Sequence, residues 1–518
     1  MKMTSTVSRF MSGAAIALWL CCGSATAAET LRWFEAQKPK IQARQAVNLL
    51  AAAATHGLEP EDYNASALRQ NVMTAMQAPA PTAAAMARLD QALTVAMVRY
   101  LEDLHRGRVD PQKIRHNFSP PRDGFDAALY LQSALAAPRF SEALAEAAPH
   151  LQLYEQLRTA LASYRERVDD PAWSRPLPPL ARKLQPGQAY AGLAVLAERL
   201  TALGDLPTDT PPPTSYKGAV VEAVKSFQKR HGLGADGVIG KTTLVQLQVT
   251  PAARARQIEL ALERLRWTPL QRGPRMVLIN LPEFALRAYE VQGDSILVAE
   301  EMKVVVGKAL DTRTPLFNEQ MRFIEFSPYW NVPPSILRNE IVPQLRRDPA
   351  YLTREGMEFV LEDGSVSKAV TPALLKAVLA GQVRLRQRPG PKNALGDIKF
   401  AFPNTDNIYL HHTPAIDLFA RDRRDFSHGC IRVEHPAALA KFVLGGMPQW
   451  TEPRIKKAMT KGESFTLKLA EPVPVLITYN TALVRDDQTY FFEDIYGLDR
   501  LLDTALRQRS QRLATPKG

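Results

Sequence analysis

The chain has 518 residues, 46% of them apolar and 23% charged, with a net charge of +12. That length exceeds what one hydrophobic core organises, so two to four domains are expected, and the composition excludes a disordered polymer. A basic balance would suit nucleic acid inside a cell, but the first residues point out of it.

Lys2 and Arg9 are followed by a short apolar run, Ala14 to Cys22, and by the small residues Ala25-Thr26-Ala27. This is the pattern of a cleavable secretory signal over residues 1–27. The run is too short to span a bilayer, and no later stretch reaches the roughly 18 apolar residues that would. Cys21 and Cys22 raise a lipoprotein reading, but Leu20 or Cys21 stands where a small residue is expected. The mature chain is therefore expected to be exported and soluble, with no membrane span. Losing Lys2 and Arg9 leaves 63 basic against 53 acidic residues. Outside the cell that balance suits an anionic envelope polymer, or simply a solvated surface, rather than nucleic acid. It also leaves Cys430 as the lone cysteine. An oxidising compartment disfavours an idle thiol, and polar and charged neighbours argue against an inert buried one.

From Ala28 to about residue 185 the pattern is helical and rich in Ala and Leu. Apolar residues recur at three- and four-residue spacing over 81–106 and 140–167, with Pro81 suited to a first helical turn. Prolines at 176, 178, 179 and 186 end the region, and a scaffold role is the plain reading. Residues 186–250 follow as a smaller unit. A helix over 193–203 ends at Gly204, a second spans 219–231 with Val220, Val224 and Phe227 on one face, and a third starts at Thr242. Gly240-Lys241-Thr242 invites a phosphate-loop reading that fails on register, since Ala235 stands where a glycine is required. The run VKSFQKRHGL followed by DGVIGKTT resembles the small three-helix peptidoglycan-binding domain. That resemblance implies a location at the cell wall.

From Met276 the periodicity becomes that of strands, at 277–280, 284–289, 302–306 and 321–326. Residues 335–394 read as a charged, helical insertion between strands, a candidate lid over a cleft. Strands resume at 398–402 and 407–411, then at 465–469 and 475–479, and a helix closes the chain at 498–506.

The chemistry-bearing stretch is Asn407-Ile408-Tyr409-Leu410-His411-His412-Thr413-Pro414, then Phe426-Ser427-His428-Gly429-Cys430-Ile431-Arg432-Val433. A cysteine nucleophile needs a base, donors for the developing oxyanion and an exposed sulfur. Gly429 allows an unusual backbone and close approach of a carbonyl, and the N–H groups of His428, Gly429 and Cys430 are candidate oxyanion donors. On a strand, Cys430 and Arg432 share one face, which puts a fixed positive charge near the sulfur. Tyr409 and His411 also share a face while His412 points away, so His411 is the preferred base and His428 the alternative.

Ser427-His428-Gly429-Cys430-Ile431-Arg432-Val433, with His411 19 residues before the cysteine, resembles the L,D-transpeptidase catalytic domain. The fuller run NALGDIKFAFPN, IYLHHTP and RRDFSHGCIRV is similar to its large periplasmic branch. The resemblance implies an α+β multidomain protein. Its parts are a helical N-terminal scaffold (28–185), a three-helix peptidoglycan-binding domain (186–250) and a mostly-β catalytic domain (251–518). A helical lid subdomain is inserted in the last at about 335–394. It implies Cys430 as the acylated nucleophile, His411 as base, and Ser427, His428 and Gly429 as the oxyanion turn. Tyr409, Arg432, Trp330 and Asn331 become substrate-binding residues. Some members carry an Asp where His412 stands, consistent with that position not being the base.

The implied reaction is acyl transfer from a tetrapeptide stem to an amine, expelling D-alanine and forming 3→3 cross-links, with no metal or organic cofactor. Carbapenem acylation of Cys430 is implied too. Stem peptides are the implied partners, with other cell-wall synthases as candidates. Sortase-like and papain-like arrangements fail on motif or order, and a zinc site of His411, His428 and Cys430 lacks a familiar spacing. The rival from another class is a wall-binding scaffold with an inactive site.

Overall fold

The structure is a computed structural model that describes residues 32–77, 82–114, 124–268, 273–293, 295–310 and 312–515. The expected signal over 1–27 and the proline at 81 lie outside these residues. Among the described residues, no helix is long and apolar enough to cross a membrane.

The N-terminal part is a helical body whose main members are Ile41–Ala51, Ala65–Gln77, Ala83–Arg106 and Gln152–Glu166. Thr82 starts the long Ala83–Arg106 helix by accepting from the Ala85 N–H at 3.2 Å. Such a cap is worth about 1 kcal/mol. Leu50, Leu93, Leu101, Tyr154 and Leu161 are buried together in its core, as the three- and four-residue spacing requires.

The second unit contains three helices, Leu193–Ala202, Ala219–Arg230 and Lys241–Gln248, around Leu196, Tyr216, Val224, Phe227 and Leu247. Gln228, buried on the middle helix, fixes the glycine-rich loop that follows. Its Oε1 accepts from the Gly237 N–H at 2.9 Å, and its Nε2 donates to Val238 O at 3.0 Å and Asp236 Oδ1 at 3.1 Å.

Helix Pro251–Trp267 joins this unit to the strands and is buried on nearly every side. Thr250 caps it and Pro251 occupies its first turn, where a missing N–H costs nothing. Ala255, Ile258, Ala261, Leu262 and Leu265 enter the core of the N-terminal helical body, while Leu260 and Trp267 enter that of the strands. Its buried charged side chains include two ion-paired groups. Glu263 pairs with Arg266 at 2.9 Å and Arg108 at 3.0 Å, and Arg264 meets Asp499 at 2.5 Å.

The strands form one nine-stranded sheet, in the order 425–427, 295–307, 431–433, 410–411, 398–401, 318–326, 465–478, 275–280, 285–292. Strand Ala285–Gln292 also pairs antiparallel with Ser295–Gly307, so eight of the nine close into a barrel. Alternate residues such as Val277, Ile279, Val304, Val306, Ile398, Phe400, Ile431 and Val433 fill its core.

Between Asn318–Phe326 and Ile398–Ala401 the chain builds the expected insertion, but it is not purely helical. Besides helices Val342–Arg347 and Pro372–Leu379 it carries a four-stranded sheet, ordered 330–331, 384–387, 357–360, 366–367. Strands of two to four residues are too short to reveal a period of two in the sequence, which explains the difference. The insertion has its own core, with Leu345, Leu352, Phe359 and Leu385. The closing helix extends beyond the expected 498–506, to Leu498–Ala514, and Arg509 on it pairs with Asp103 at 2.7 Å and Asp62 at 3.0 Å in the N-terminal body.

Candidate active site

Two neighbouring barrel strands bring the expected residues together. Leu410–His411 and Ile431–Val433 run parallel, in a register that sets His411 beside Arg432 and Leu410 beside Ile431. Leu410, Ile431 and Val433 point into the barrel core, so Tyr409, His411, Cys430 and Arg432 share the other face. Tyr409 and His411 stack edge to face with ring centroids 5.8 Å apart.

Cys430 sits at the end of a tight turn. Gly429 has φ +117°, a conformation that a side chain resists, and a Cβ there would stand 3.3 Å from Ile408 Cδ1. Ser427 is buried beneath the turn. Its Oγ donates to Cys430 O at 2.5 Å and accepts from the Gly429 N–H at 3.1 Å. Thr312 Oγ1 donates to Ser427 O at 3.0 Å, and Thr314 Oγ1 donates to Gly429 O at 2.7 Å. The turn is thus held from behind by the segment after Gly307. Of the three expected oxyanion donors, Gly429 is engaged inside the turn. The His428 and Cys430 N–H groups have no partner among the described residues.

Gly307 is what lets that segment come so close. A Cβ at this position would stand 1.9 Å from Thr312 O, a backbone atom with no room to give. Gly307→Ala is expected to displace the Thr312–Thr314 support and cost about 1–3 kcal/mol, as overpacking does. A lowered melting temperature, together with slower alkylation or acylation of Cys430, is the readout; an unchanged protein would contradict this account of the turn.

The thiol is partly exposed. Its Sγ donates to Asn407 O at 3.7 Å, with Tyr409 beside it. Burial pushes the Cys430 thiol above its ordinary value, while Tyr409 and the charges of Lys399 and Arg432 pull the other way. Burial, and then the Cys430 sulfur, also raise the Tyr409 hydroxyl. Lys399, on the strand next to His411, lies 4.6 Å from the Tyr409 ring centroid and pairs with Glu325 at 2.9 Å.

His411 is only 4% exposed; its Nδ1 faces His412 O at 2.5 Å, and the Leu395 carbonyl also acts on the ring. With the proton on Nδ1, Nε2 is an acceptor. Burial first, then the Arg432 charge, push its pKa down to about 3. No hydrogen bond joins it to Cys430 in this structure. Apo sites commonly close such contacts only around substrate. The Arg432 guanidinium makes no ion pair, and its buried Nε has no hydrogen-bond partner among the described residues. His412 points away, with Nδ1 3.3 Å from Asp397 Oδ2. His428 is exposed, and its Nε2 meets Glu340 Oε1 at 2.6 Å. Glu340 lies in the π-helical turn Leu337–Ile341 of the insertion, which therefore touches the nucleophile turn directly.

Trp330 and Asn331 are placed differently from the four residues around the thiol. Trp330, 8% exposed, is packed in the core of the insertion, whose edge includes Tyr409. Asn331 is exposed and pairs with Arg386 across two insertion strands. Sequence reasoning missed Lys399, Glu340, Thr312 and Thr314, because only strand register and long-range contact bring them to the turn.

Residues 274–461 match the L,D-transpeptidase catalytic domain, residues 25–161 a scaffold domain, and residues 191–247 a family described as "Putative peptidoglycan binding domain". A curated protein of Haemophilus influenzae, named "Putative L,D-transpeptidase", is 32% identical over 232 residues. The match covers 44% of this chain, and the chain spans 45% of that relative's length. A solved L,D-transpeptidase (residues 123–326) from Xylanimonas cellulosilytica aligns at 16% identity over 58% of this chain and 100% of its own, with a TM-score of 0.19. Bd1075 of Bdellovibrio bacteriovorus aligns at 16% identity over 46% and 55%, with a TM-score of 0.17. Scores that low add nothing to the argument. The barrel is a catalytic domain of the L,D-transpeptidase family, and the chain carries a peptidoglycan-binding domain beside it.

Proposed function

We propose that this chain is a peptidoglycan L,D-transpeptidase whose nucleophile is Cys430. The observation that carries the proposal is the lone thiol on the Gly429 turn, sharing one face with Tyr409, His411 and Arg432 inside the matched domain.

The Cys430 sulfur attacks the carbonyl of the third residue, diaminopimelate, of a tetrapeptide stem, and the thiol proton passes to His411 Nε2. The free N–H groups of His428 and Cys430 suit the oxyanion. Collapse breaks the bond to D-alanine, whose amine takes the proton from His411, and leaves a thioester. The side-chain amine of a second stem, giving its proton to His411, attacks the thioester, forms the 3→3 bond and restores the thiol. A D-amino acid or a protein amine would need only to take the acceptor's place, and carbapenems to take the donor's.

At rest the thiol and the imidazole are both neutral, since one is shifted up and the other down. A stem carboxylate seated on Arg432 would cancel the charge beside His411 and raise its basicity, so substrate helps complete the base. Tyr409 holds the sulfur. Trp330 acts through the packing of the insertion against Tyr409, and Asn331 lies on its exposed edge. No cofactor is needed for these steps. The chain works outside the cytoplasm, in the periplasm, after removal of residues 1–27. Its stretches 28–185, 186–250 and 251–518 act as scaffold, wall-binding unit and catalytic unit, the last with its lid at about 335–394. Stem peptides are its partners, and neighbouring wall synthases are candidates.

The test is mass spectrometry of the wild type and Cys430→Ala after incubation with a disaccharide-tetrapeptide. A thioester adduct or a 3→3 dimer formed by the wild type alone is expected. Muropeptide binding by a folded wild type with neither species would favour the inactive wall-binding scaffold.

A further inference from the structure

A cavity of about 790 Å³ lies between the peptidoglycan-binding domain and the barrel, and Cys430 does not line it. Its volume is in the range of ligand pockets, roughly 300–1,000 Å³. One wall is Lys183, the glycine-rich loop and the start of helix Lys241–Gln248; the other is Asp422 and Arg423, the hairpin turn at Pro282 and Phe284, and Phe492, Glu493 and Ile495. The second wall runs straight into strand Asp425–Ser427 and the nucleophile turn.

Both walls carry mixed charge, but the unpaired groups differ: Asp236 on the first wall is engaged by Gln228 Nε2 and the Val238 N–H, and Arg423 on the second by Glu493. Lys183 and Lys241, on the first, are exposed and make no ion pair among the described residues. Asp422, on the second, is exposed and likewise unpaired, and its carboxylate oxygens lie 3.0 Å from where a Cβ of Gly234 would stand. Glu493 beside it is held by Arg423 at 3.2 Å. The floor is apolar, with Phe284 and Phe492 each 6% exposed. Phe284 keeps φ +56°, a costly conformation for a bulky residue, at this floor. His231 is buried beside the cavity with Nδ1 donating to Phe227 O at 2.6 Å, and its Nε2 has no hydrogen-bond partner among the described residues. Burial and the nearby Arg254 and Arg230 keep that ring neutral, so Nε2 is an acceptor.

We propose that this cleft is a second binding site, for a short peptide carrying both amine and carboxylate groups, such as an unreacted peptidoglycan stem. Its carboxylates face Lys183 and Lys241, its amine faces Asp422, and a backbone N–H reaches His231. A sugar ring is the poorer occupant, because no aromatic face is open to stack on it. The inference rests on the polymer being peptidoglycan, not on the chemistry at Cys430.

The test uses the full chain as Cys430→Ala, which turns nothing over, with a free tetrapeptide stem bearing a photoactivatable diazirine. Cross-links are expected on both walls, within 231–246 and at 422–423. The double charge reversal Lys183→Glu with Lys241→Glu is expected to reduce them about tenfold or more. In the wild-type background the same reversal leaves thioester formation on Cys430 unchanged. Cross-links absent from the cleft, or insensitive to the reversal, overturn the proposal. So does full displacement by a glycan chain stripped of its peptides. If Cys430 forms no thioester while the cleft is still labelled, the catalytic reading fails and this one stands.

Discussion

Replacing His411 by alanine is expected to lower kcat/KM for release of D-alanine by about 10²–10⁴-fold, the range typical of a lost general base. The same change at His428 is expected to cost less than about tenfold, because its ring is exposed and engaged with Glu340 rather than with the thiol face. Comparable losses at both positions would contradict the assignment of the base. The pH profile gives a second check. A base must be neutral to accept a proton, and His411, pushed down to about 3, is neutral at every pH well above that. The thiol, pushed up by burial, keeps its proton through the neutral range. The free-enzyme profile of kcat/KM is therefore expected to be flat across the ordinary histidine range, falling only near pH 3 and again above the ordinary thiol range. An acidic limb near pH 6.5 would show that a solvent-accessible histidine carries the proton instead.

Glu263→Ala is expected to be among the most destabilising single changes in the molecule. Its carboxylate is fully buried between Arg108 and Arg266, so its removal strands two guanidinium groups without a counter-charge. Breaking a buried pair in this way costs about 3–5 kcal/mol. Burial alone would raise the Glu263 carboxyl; the two arginines outweigh burial and hold it below its ordinary value. Its contribution is thus complete above the ordinary carboxylate range and is lost as pH falls through the lowered value. Urea unfolding followed by the fluorescence of Trp267 and its neighbours should show an earlier midpoint at pH 7, with a smaller gap between variant and wild type in acid. A variant within about 1 kcal/mol of wild type would mean that the arginines find other partners.

Much of the site was legible because local order carries it. Tyr409 two before His411, Cys430 two before Arg432 and Gly429 before the sulfur need only the period of two. The strands themselves are short: Leu410–His411, against the expected 407–411, and Ile431–Val433, with Tyr409 and Cys430 one residue ahead of each. The neighbourhood of those strands was not legible. That His411 lies beside Arg432 depends on a parallel register, and nothing local specifies the partner strand. Thr312 and Thr314 reach the turn only because Gly307 leaves space for their backbone. Helix Pro251–Trp267 was hard to read for another reason. Arg254, Glu263, Arg264 and Arg266 look like a solvated face in sequence, yet all four are buried in pairs or on aromatic rings. Trp330, expected at the groove, belongs to a core assembled from strands too short to announce themselves.

The largely embedded helix Pro251–Trp267 also sets a length scale. The unit that carries the glycine-rich loop is fastened to the C-terminal part of the chain: Arg230 donates at 2.9 Å to Thr489 O, on the hairpin of strands Ala482–Arg485 and Gln488–Phe491, and Arg254 of the embedded helix lies over the Phe491 ring at 4.6 Å. A polymer gripped at one end of such a body cannot be searched by a swinging tether. Only stems lying at one fixed distance along it would meet the sulfur, so the fold would work as a gauge that selects bonds by their spacing in the mesh.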